Sequence, residues 1–222
     1  GPSPPWAFHL FLVALSILAM REFYKLAASP IPWGMSITGY FLGLVLFGVI
    51  YVRQIFLVPG IISLFAILPL GLSIFTQKAP DNRRAAAMAW TALSPVYVAL
   101  PLAMLALIRP LPQGPWWILF LFVVVFATDT GAFYVGRMVG KHKLHPAVSP
   151  GKTWEGAIGG LISAEVCSVL YLSLFPIHPL NLQIVLLAVL LSAMSQIGDL
   201  AESLIKRCHQ VKDSGRLLPG HG

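Results

Sequence analysis

The sequence predicts an all-α, polytopic integral membrane protein of about seven transmembrane helices joined by short loops. Three observations predict it. Of the 222 residues, 57% are hydrophobic and only 10% are charged, with a mean hydropathy of +0.81, whereas a soluble domain carries about 25% charge. The apolar residues gather into seven runs, near 6–27, 33–51, 55–76, 85–108, 115–139, 154–175 and 182–207, each close to the ~20 residues a helix needs to cross a bilayer. Finally, with the runs taken as alternating spans, all but Arg53 and Arg109 of the 15 Lys and Arg fall on one side. Cytoplasmic segments collect positive charge, so the loops 77–84 and 140–153 and the C-terminal tail are expected in the cytoplasm. A miscounted span would scramble that division.

Other classes are excluded on the same grounds. Strand alternation is absent, which argues against a β-barrel, and no segment between runs is long enough for a soluble domain. No internal repeat is visible, which weighs against transporters built from two related halves. The net charge of +7 belongs to the loops on one membrane face, and no nucleic-acid partner is read from it. Cys167 and Cys208 have neither pairing nor metal-site spacing and read as free thiols. Gly1-Pro2-Ser3 reads as a protease-cleavage scar, and no cleavable signal peptide is evident.

Along the chain, the first span ends at Arg21, Glu22 and Lys25, and the second and third meet at a tight hinge near Arg53 and Gln54. Pro59, Pro69, Pro95 and Pro101 fall within spans, where neighbouring helices can satisfy the freed carbonyls. Trp6, Trp33, Trp116 and Trp117 stand at span ends, as interfacial anchors do. His9 and His178 lie near the outer side, away from the cations, and read as structural.

The fifth span carries Asp129-Thr130-Gly131-Ala132-Phe133. Asp129 sits well before the basic loop, within the apolar segment, and Gly136 and Gly140 share its helical face. A face without side chains lets a neighbouring backbone or a phosphate come close; the plainer reading is a packing seam with one polar cross-link. The loop 140–153 is short, basic and glycine-bearing and runs straight into a helix N-terminus, whose free N–H groups and dipole favour anions. Pro150-Gly151-Lys152-Thr153 is similar to a P-loop ending, but Pro146 stands where the first Gly belongs and no βα unit is expected around it.

The seventh span has the clearest pattern. On a helical wheel, Ser192, Ser195, Gln196, Glu202, Ser203 and Lys206 fall within about 60° of Asp199, while the remaining face is apolar. Ionised side chains in a span cost several kcal/mol unless they face protein, water or an ion. The stripe therefore predicts a wet, charged cavity at the cytoplasmic end of this helix. The tail Lys206–Gly222 adds four cations and several glycines, suited to polyphosphate or, more plainly, to anionic lipid. Glu165, alone in the sixth span, has no assigned role. Gly156 and Gly160 on that span read as close-packing positions. Two carboxylates on separate spans, with basic loops at the same level, suggest a cation site beneath a polyphosphate site, since carboxylate-held cations commonly share their coordination with substrate phosphate.

Together these residues resemble a family. Ser203-x-x-Lys206-Arg207, Lys212-Asp213-x-Gly215 and Leu218-Pro219-x-His221-Gly222 are similar to the signature of the CDP-diacylglycerol synthases (phosphatidate cytidylyltransferases). Asp129–Phe133, Ser149–Gly156 and Gly198-Asp199-Leu200-x-Glu202-Ser203 resemble the same family. The resemblance is strong over 127–222 and weaker before it, so 127–222 is expected to be the catalytic part and 1–126 a set of structural, lipid-facing helices. The family pattern continues past Gly222 to a further aspartate element and a final span, and it begins with an additional hydrophobic span, so the chain reads as truncated at both ends.

The resemblance implies nucleotidyl transfer from CTP to phosphatidic acid, giving CDP-diacylglycerol and pyrophosphate, at the cytoplasmic face of a bacterial inner membrane. It implies Mg2+ as cofactor, with room for a second cation, held by Asp199, Asp129 and Glu202. Asp199, Lys206, Arg207, Lys212 and Asp213 would be catalytic, and Ser149, Lys152, Thr153, Glu155, Ser203 and His221 would bind substrate. Membrane lipids are expected partners, and a homodimer is an admissible assembly. The competing reading is a cation-coupled transporter using Asp129, Asp199 and Glu165, which predicts polar groups continuing toward the outer side. A non-catalytic, anionic-lipid-binding scaffold is the other alternative, and it leaves the aspartates without a purpose.

Overall fold

The computed structural model describes residues 5–27, 31–76 and 82–208. Among them, seven helices are long and apolar enough to cross a membrane, and they coincide with the seven apolar runs. The protein is an all-α, polytopic integral membrane protein whose one departure from helix, among the described residues, is a small two-stranded sheet. The described residues fall into two compact units that divide between Pro110 and Leu111.

The first unit contains α1 (Pro5–Lys25), α2 (Trp33–Tyr51), α3 (Val58–Thr76), α4 (Asn82–Ser94) and α5 (Leu100–Ile108). A single turn of π-helix, Pro95–Ala99, joins α4 to α5, so that they form one continuous span. A π-turn in a helix marks a place where the regular ladder is interrupted, and here it begins at a proline, which has no N–H to offer that ladder. The core is aliphatic and aromatic: Leu12, Met20, Leu42, Leu46, Phe47 and Phe65 are almost fully buried, with Ala99 and Ala103 letting the α5 span approach. Several of the polar groups around it are paired internally. Tyr24 and Ser94 share a hydrogen bond, and the His9 ring bonds the Phe47 carbonyl at 3.0 Å while packing edge-on against Phe47. His9 is therefore structural, as the sequence suggested.

The second unit contains α6 (Gly114–Val139), β1 (Lys143–His145), β2 (Ser149–Thr153), α7 (Trp154–Leu174) and α8 (Leu182–Cys208). Antiparallel α6 and α7 form the closest helix pair of the protein, and glycine is the reason. A Cβ on Gly156 would lie 2.7 Å from the Ala132 carbonyl oxygen, and one on Gly160 would lie 2.9 Å from that of Thr128. Small residues of this kind bring helix backbones together in a lipid environment, where apolar burial gives little drive. At the end away from the hairpin, Phe120, Val124, Tyr171, Leu172, Ile184 and Ala188 form an apolar plug among α6, α7 and α8, and the Tyr171 hydroxyl donates to the Trp116 carbonyl at 2.7 Å. Deeper in, Thr128 donates to Ser192 at 2.8 Å, a fully buried link between α6 and α8.

The loop 140–153 contains regular structure that the sequence did not predict. It folds as an antiparallel hairpin in which Lys143 pairs with Thr153 and His145 with Ser149. β2 passes without a break into α7, so a strand does lead into this helix, contrary to expectation, although the antiparallel hairpin is unlike a P-loop. Thr153 ends the strand with extended backbone and caps the helix, its hydroxyl accepting from Gly156 N–H at 3.1 Å. Cys167 and Cys208 are both free.

Candidate active site

A pocket of about 720 Å3 opens in the second unit where α6, the hairpin, the start of α7 and α8 converge. α6 contributes Asp129, Ala132, Phe133, Gly136 and Arg137 to its wall. These recur at steps of three and four, so they form one helical face. The hairpin contributes Ser149, Gly151, Lys152 and Thr153, α7 contributes Gly156 and Ala157, and α8 contributes Gln196 and Asp199. The cavity foreseen from the polar stripe of α8 is thus present, and Gln196 and Asp199 of that stripe face it. Going down that helix, Ser192 bonds Thr128, Gln196 donates to the Ala157 carbonyl at 3.2 Å, and Asp199 meets Lys152.

The electrostatic centre is the ion pair between Lys152 Nζ and Asp199 Oδ2, at 2.6 Å. The Lys152 side chain is mostly enclosed, at 24% exposure, whereas Asp199 keeps 55% and opens onto the pocket. Asp129 lies within electrostatic reach of both. Neither aspartate is packed into protein; each looks into the open pocket, the wet surroundings expected from the α8 stripe and the condition under which a charge in a span is tolerated.

Other residues singled out in the sequence lie around this centre rather than in it. Glu155, in the first turn of α7, has its carboxylate engaged by the hairpin. It accepts backbone N–H groups from Lys141 at 3.1 Å and His142 at 3.2 Å, and it meets the His142 ring at 2.5 Å. Glu202 pairs with Lys206 one turn on, at 2.8 Å. Arg207 Nε donates to the Val148 carbonyl at 3.4 Å, holding the hairpin turn against α8. Glu202, Ser203, Lys206 and Arg207 do not line the pocket. Lys212, Asp213 and His221 lie outside the described residues. Two polar pocket residues were missed as site residues. Gln196 was visible on the stripe, and Arg137 was counted only as a loop charge.

The donor chemistry suits a hard divalent cation. Mg2+ is commonly bound by one or two carboxylates with water and substrate phosphates completing its shell, and Asp129 and Asp199 supply two carboxylates on one pocket. Among the described residues, no group of three His, Cys, Asp or Glu closes into an all-protein cage. Glu202, expected as a third ligand, is on the α8 stripe and paired with Lys206.

A helical membrane protein that places carboxylates, a lysine, an arginine and a capped helix N-terminus around one pocket is of the class that handles phosphate groups at a bilayer surface. The comparisons make the class specific: residues 2–222 match the profile of the cytidylyltransferase family, and the chain belongs to that family. It is 35% identical over 216 residues, 96% of its length, to a phosphatidate cytidylyltransferase of Staphylococcus haemolyticus, of which the match covers 81%. It is 48% identical over 134 residues, 60% of its length, to a phosphatidate cytidylyltransferase of Brucella suis. A third protein of that name, from Staphylococcus saprophyticus, is 46% identical over 110 residues, 50% of this chain. The matches span about half the length of the Brucella protein and 42% of the S. saprophyticus one.

Proposed function

We propose that the chain catalyses transfer of a cytidylyl group from CTP to phosphatidate, giving CDP-diacylglycerol and pyrophosphate, at the cytoplasmic face of a bacterial inner membrane. One observation carries the reading beyond family membership: Lys152 of the hairpin and Asp199 of α8 meet at 2.6 Å across a pocket that also holds Asp129 and Arg137. A phosphate oxygen of phosphatidate attacks the α-phosphorus of CTP. The bond from that phosphorus to the bridging oxygen breaks, and pyrophosphate leaves. The nucleophile is already anionic, so the site needs no strong general base; it needs in-line placement and compensation of phosphate charge.

The residues present divide that work. Lys152 has a choice of anion, since its ammonium can pass from Asp199 to a substrate phosphate in the same pocket. Asp129 and Asp199 are the residues that would hold Mg2+, which when bound supplies charge neutralisation at the transferring phosphate. Ser149 and the first turn of α7, with Thr153 as its cap, offer a hydroxyl and a helix N-terminus to phosphate oxygens. Lys206, Arg207, Lys212, Asp213, Ser203 and His221 belong to the family signature and are assigned to substrate handling on that ground. The catalytic part is residues 127–222. The positively charged loops support the cytoplasmic placement. A cation-coupled transporter finds no support in the relatives.

The test is CTP-dependent release of pyrophosphate in detergent micelles containing phosphatidate, across a Mg2+ series. The wild-type chain is expected to turn over only with both substrates, and Asp199→Asn to lose at least about 100-fold in kcat, as removal of a phosphate- or metal-positioning charge does. Undiminished turnover and an unchanged Mg2+ dependence in Asp199→Asn would sink the assignment.

A further inference from the structure

We propose that Arg137 is a substrate-binding residue of this pocket, taking a phosphate group through its guanidinium. The inference rests on the cytidylyl-transfer reading and assigns to it a residue that neither the sequence motifs nor the charge pattern singled out. The pocket holds two cations, Lys152 and Arg137, and two anions, Asp129 and Asp199. Lys152 is taken by Asp199 at 2.6 Å. Arg137 is exposed on the pocket wall and, among the described residues, has no ion pair or hydrogen bond from its side chain. An unengaged cation beside a carboxylate-bearing pocket is a site for an anion that comes from outside the protein.

Its place on α6 adds a direction. Asp129 and Arg137 lie on the same pocket-lining face, eight positions apart in the sequence, which is ~12 Å along a helix. The α6 wall is therefore acidic at its deep end and basic at its last turn. An extended phosphate-bearing substrate fits that polarity, with one end close to the carboxylates and another on the guanidinium. The Arg137 fork offers paired N–H donors that match a phosphate in two-point geometry, which a lysine cannot reproduce. Positive charge at the end of a span is otherwise explained by membrane topology alone. Topology does not require the side chain to line the pocket, and a lysine would serve it equally well.

Two sources supply such a phosphate, the triphosphate of CTP and the phosphomonoester of phosphatidate. The full chain, with Arg137→Gln and Arg137→Lys, is assayed for KM with each substrate, and pyrophosphate binding is measured by calorimetry without turnover. The loss of a charge-assisted contact is expected to raise KM for one substrate by about 10- to 100-fold, with Arg137→Lys recovering only part of it. A parallel fall in pyrophosphate affinity assigns the contact to the nucleotide; a rise in KM for phosphatidate alone assigns it to the lipid. If both KM values and the pyrophosphate affinity stay within about twofold of wild type, or if Lys restores them fully, Arg137 is a topological charge and the proposal fails. If wild type does not turn over CTP but Arg137→Gln still weakens pyrophosphate binding, the cytidylyl-transfer reading falls while the phosphate site stands.

Discussion

Replacing Gly156 with alanine tests whether the seam between α6 and α7 sets the geometry of the pocket. The added Cβ would come within 2.7 Å of the Ala132 carbonyl oxygen and 3.1 Å of the Gly136 Cα. Ordinary contact begins at 3.4 Å, so the first of these is about 0.7 Å too close. Both of these atoms are backbone, which no rotamer change can move aside, and the Thr153 hydroxyl also lies at 3.0 Å. The two helices must part by about half an ångström, and α6 carries Asp129 and Arg137 while α7 follows directly from Lys152. Overpacking costs about 1–3 kcal/mol, and the better helix propensity of alanine returns up to about 1 kcal/mol. The net loss of stability is thus modest, about 0–2 kcal/mol. The larger effect should be on chemistry, because a displacement of about 1 Å can cost about 100-fold in rate. We expect kcat/KM for CTP to fall by roughly 10-fold or more while the protein still purifies as a folded species. Gly151→Ala is the control: this glycine lines the same pocket but has nothing within 4 Å of its virtual Cβ, and its activity should stay within about twofold. Equal behaviour of the two variants, or full activity in Gly156→Ala, would refute the idea that the seam sets the site.

Two further predictions follow from the supports of the site. Glu155→Gln keeps the size of the side chain but removes the charge that gathers the Lys141 and His142 amides and the His142 ring; we expect faster hydrogen exchange at residues 141–143 and a drop in kcat/KM of about 10-fold, since hydrogen bonds to a charged group are worth about 1.5–3 kcal/mol, with unchanged exchange arguing against the clamp. Thr128→Val and Ser192→Ala each cut the buried α6–α8 link; each should lower unfolding stability in detergent by about 0.6–1.5 kcal/mol, and the double variant should lose less than the sum.

The spans were legible because each is a long apolar run with a basic end, and the register of positive charge checked their number. The polar stripe of α8 was legible for a related reason: a carboxylate placed at helical spacing from Ser192 and Gln196 in an apolar segment has few tolerable surroundings. The hairpin was hidden. Its strands, Lys143–His145 and Ser149–Thr153, are short and largely polar, the second carrying a proline and a glycine, so no alternation marks them, and what holds them is tertiary: Glu155 at the base and Arg207 at the turn. Glu155 itself read as a substrate ligand because the motif says only that an acid opens the helix. Whether that acid faces a ligand or a backbone depends on the fold of the preceding loop. The place of Arg137 on the pocket wall was hidden because any arginine at the end of a span satisfies the charge rule without reference to a pocket.

Three carboxylates set well inside the apolar segments show how position decides purpose. Asp129 and Asp199 enter the same pocket, where open space and Lys152 offset their charge. Glu165, on α7, has a buried Oε1 with no hydrogen-bond partner and lies off the pocket wall. The cost of ionisation in a span is the same in kind for all three, so the two aspartates are tolerated through the open pocket and its lysine, and Glu165 shares neither. Replacing a pocket aspartate should therefore disturb turnover before stability, whereas replacing Glu165 with glutamine should leave CTP turnover unchanged. That contrast separates a charge kept for chemistry from one that is merely accommodated.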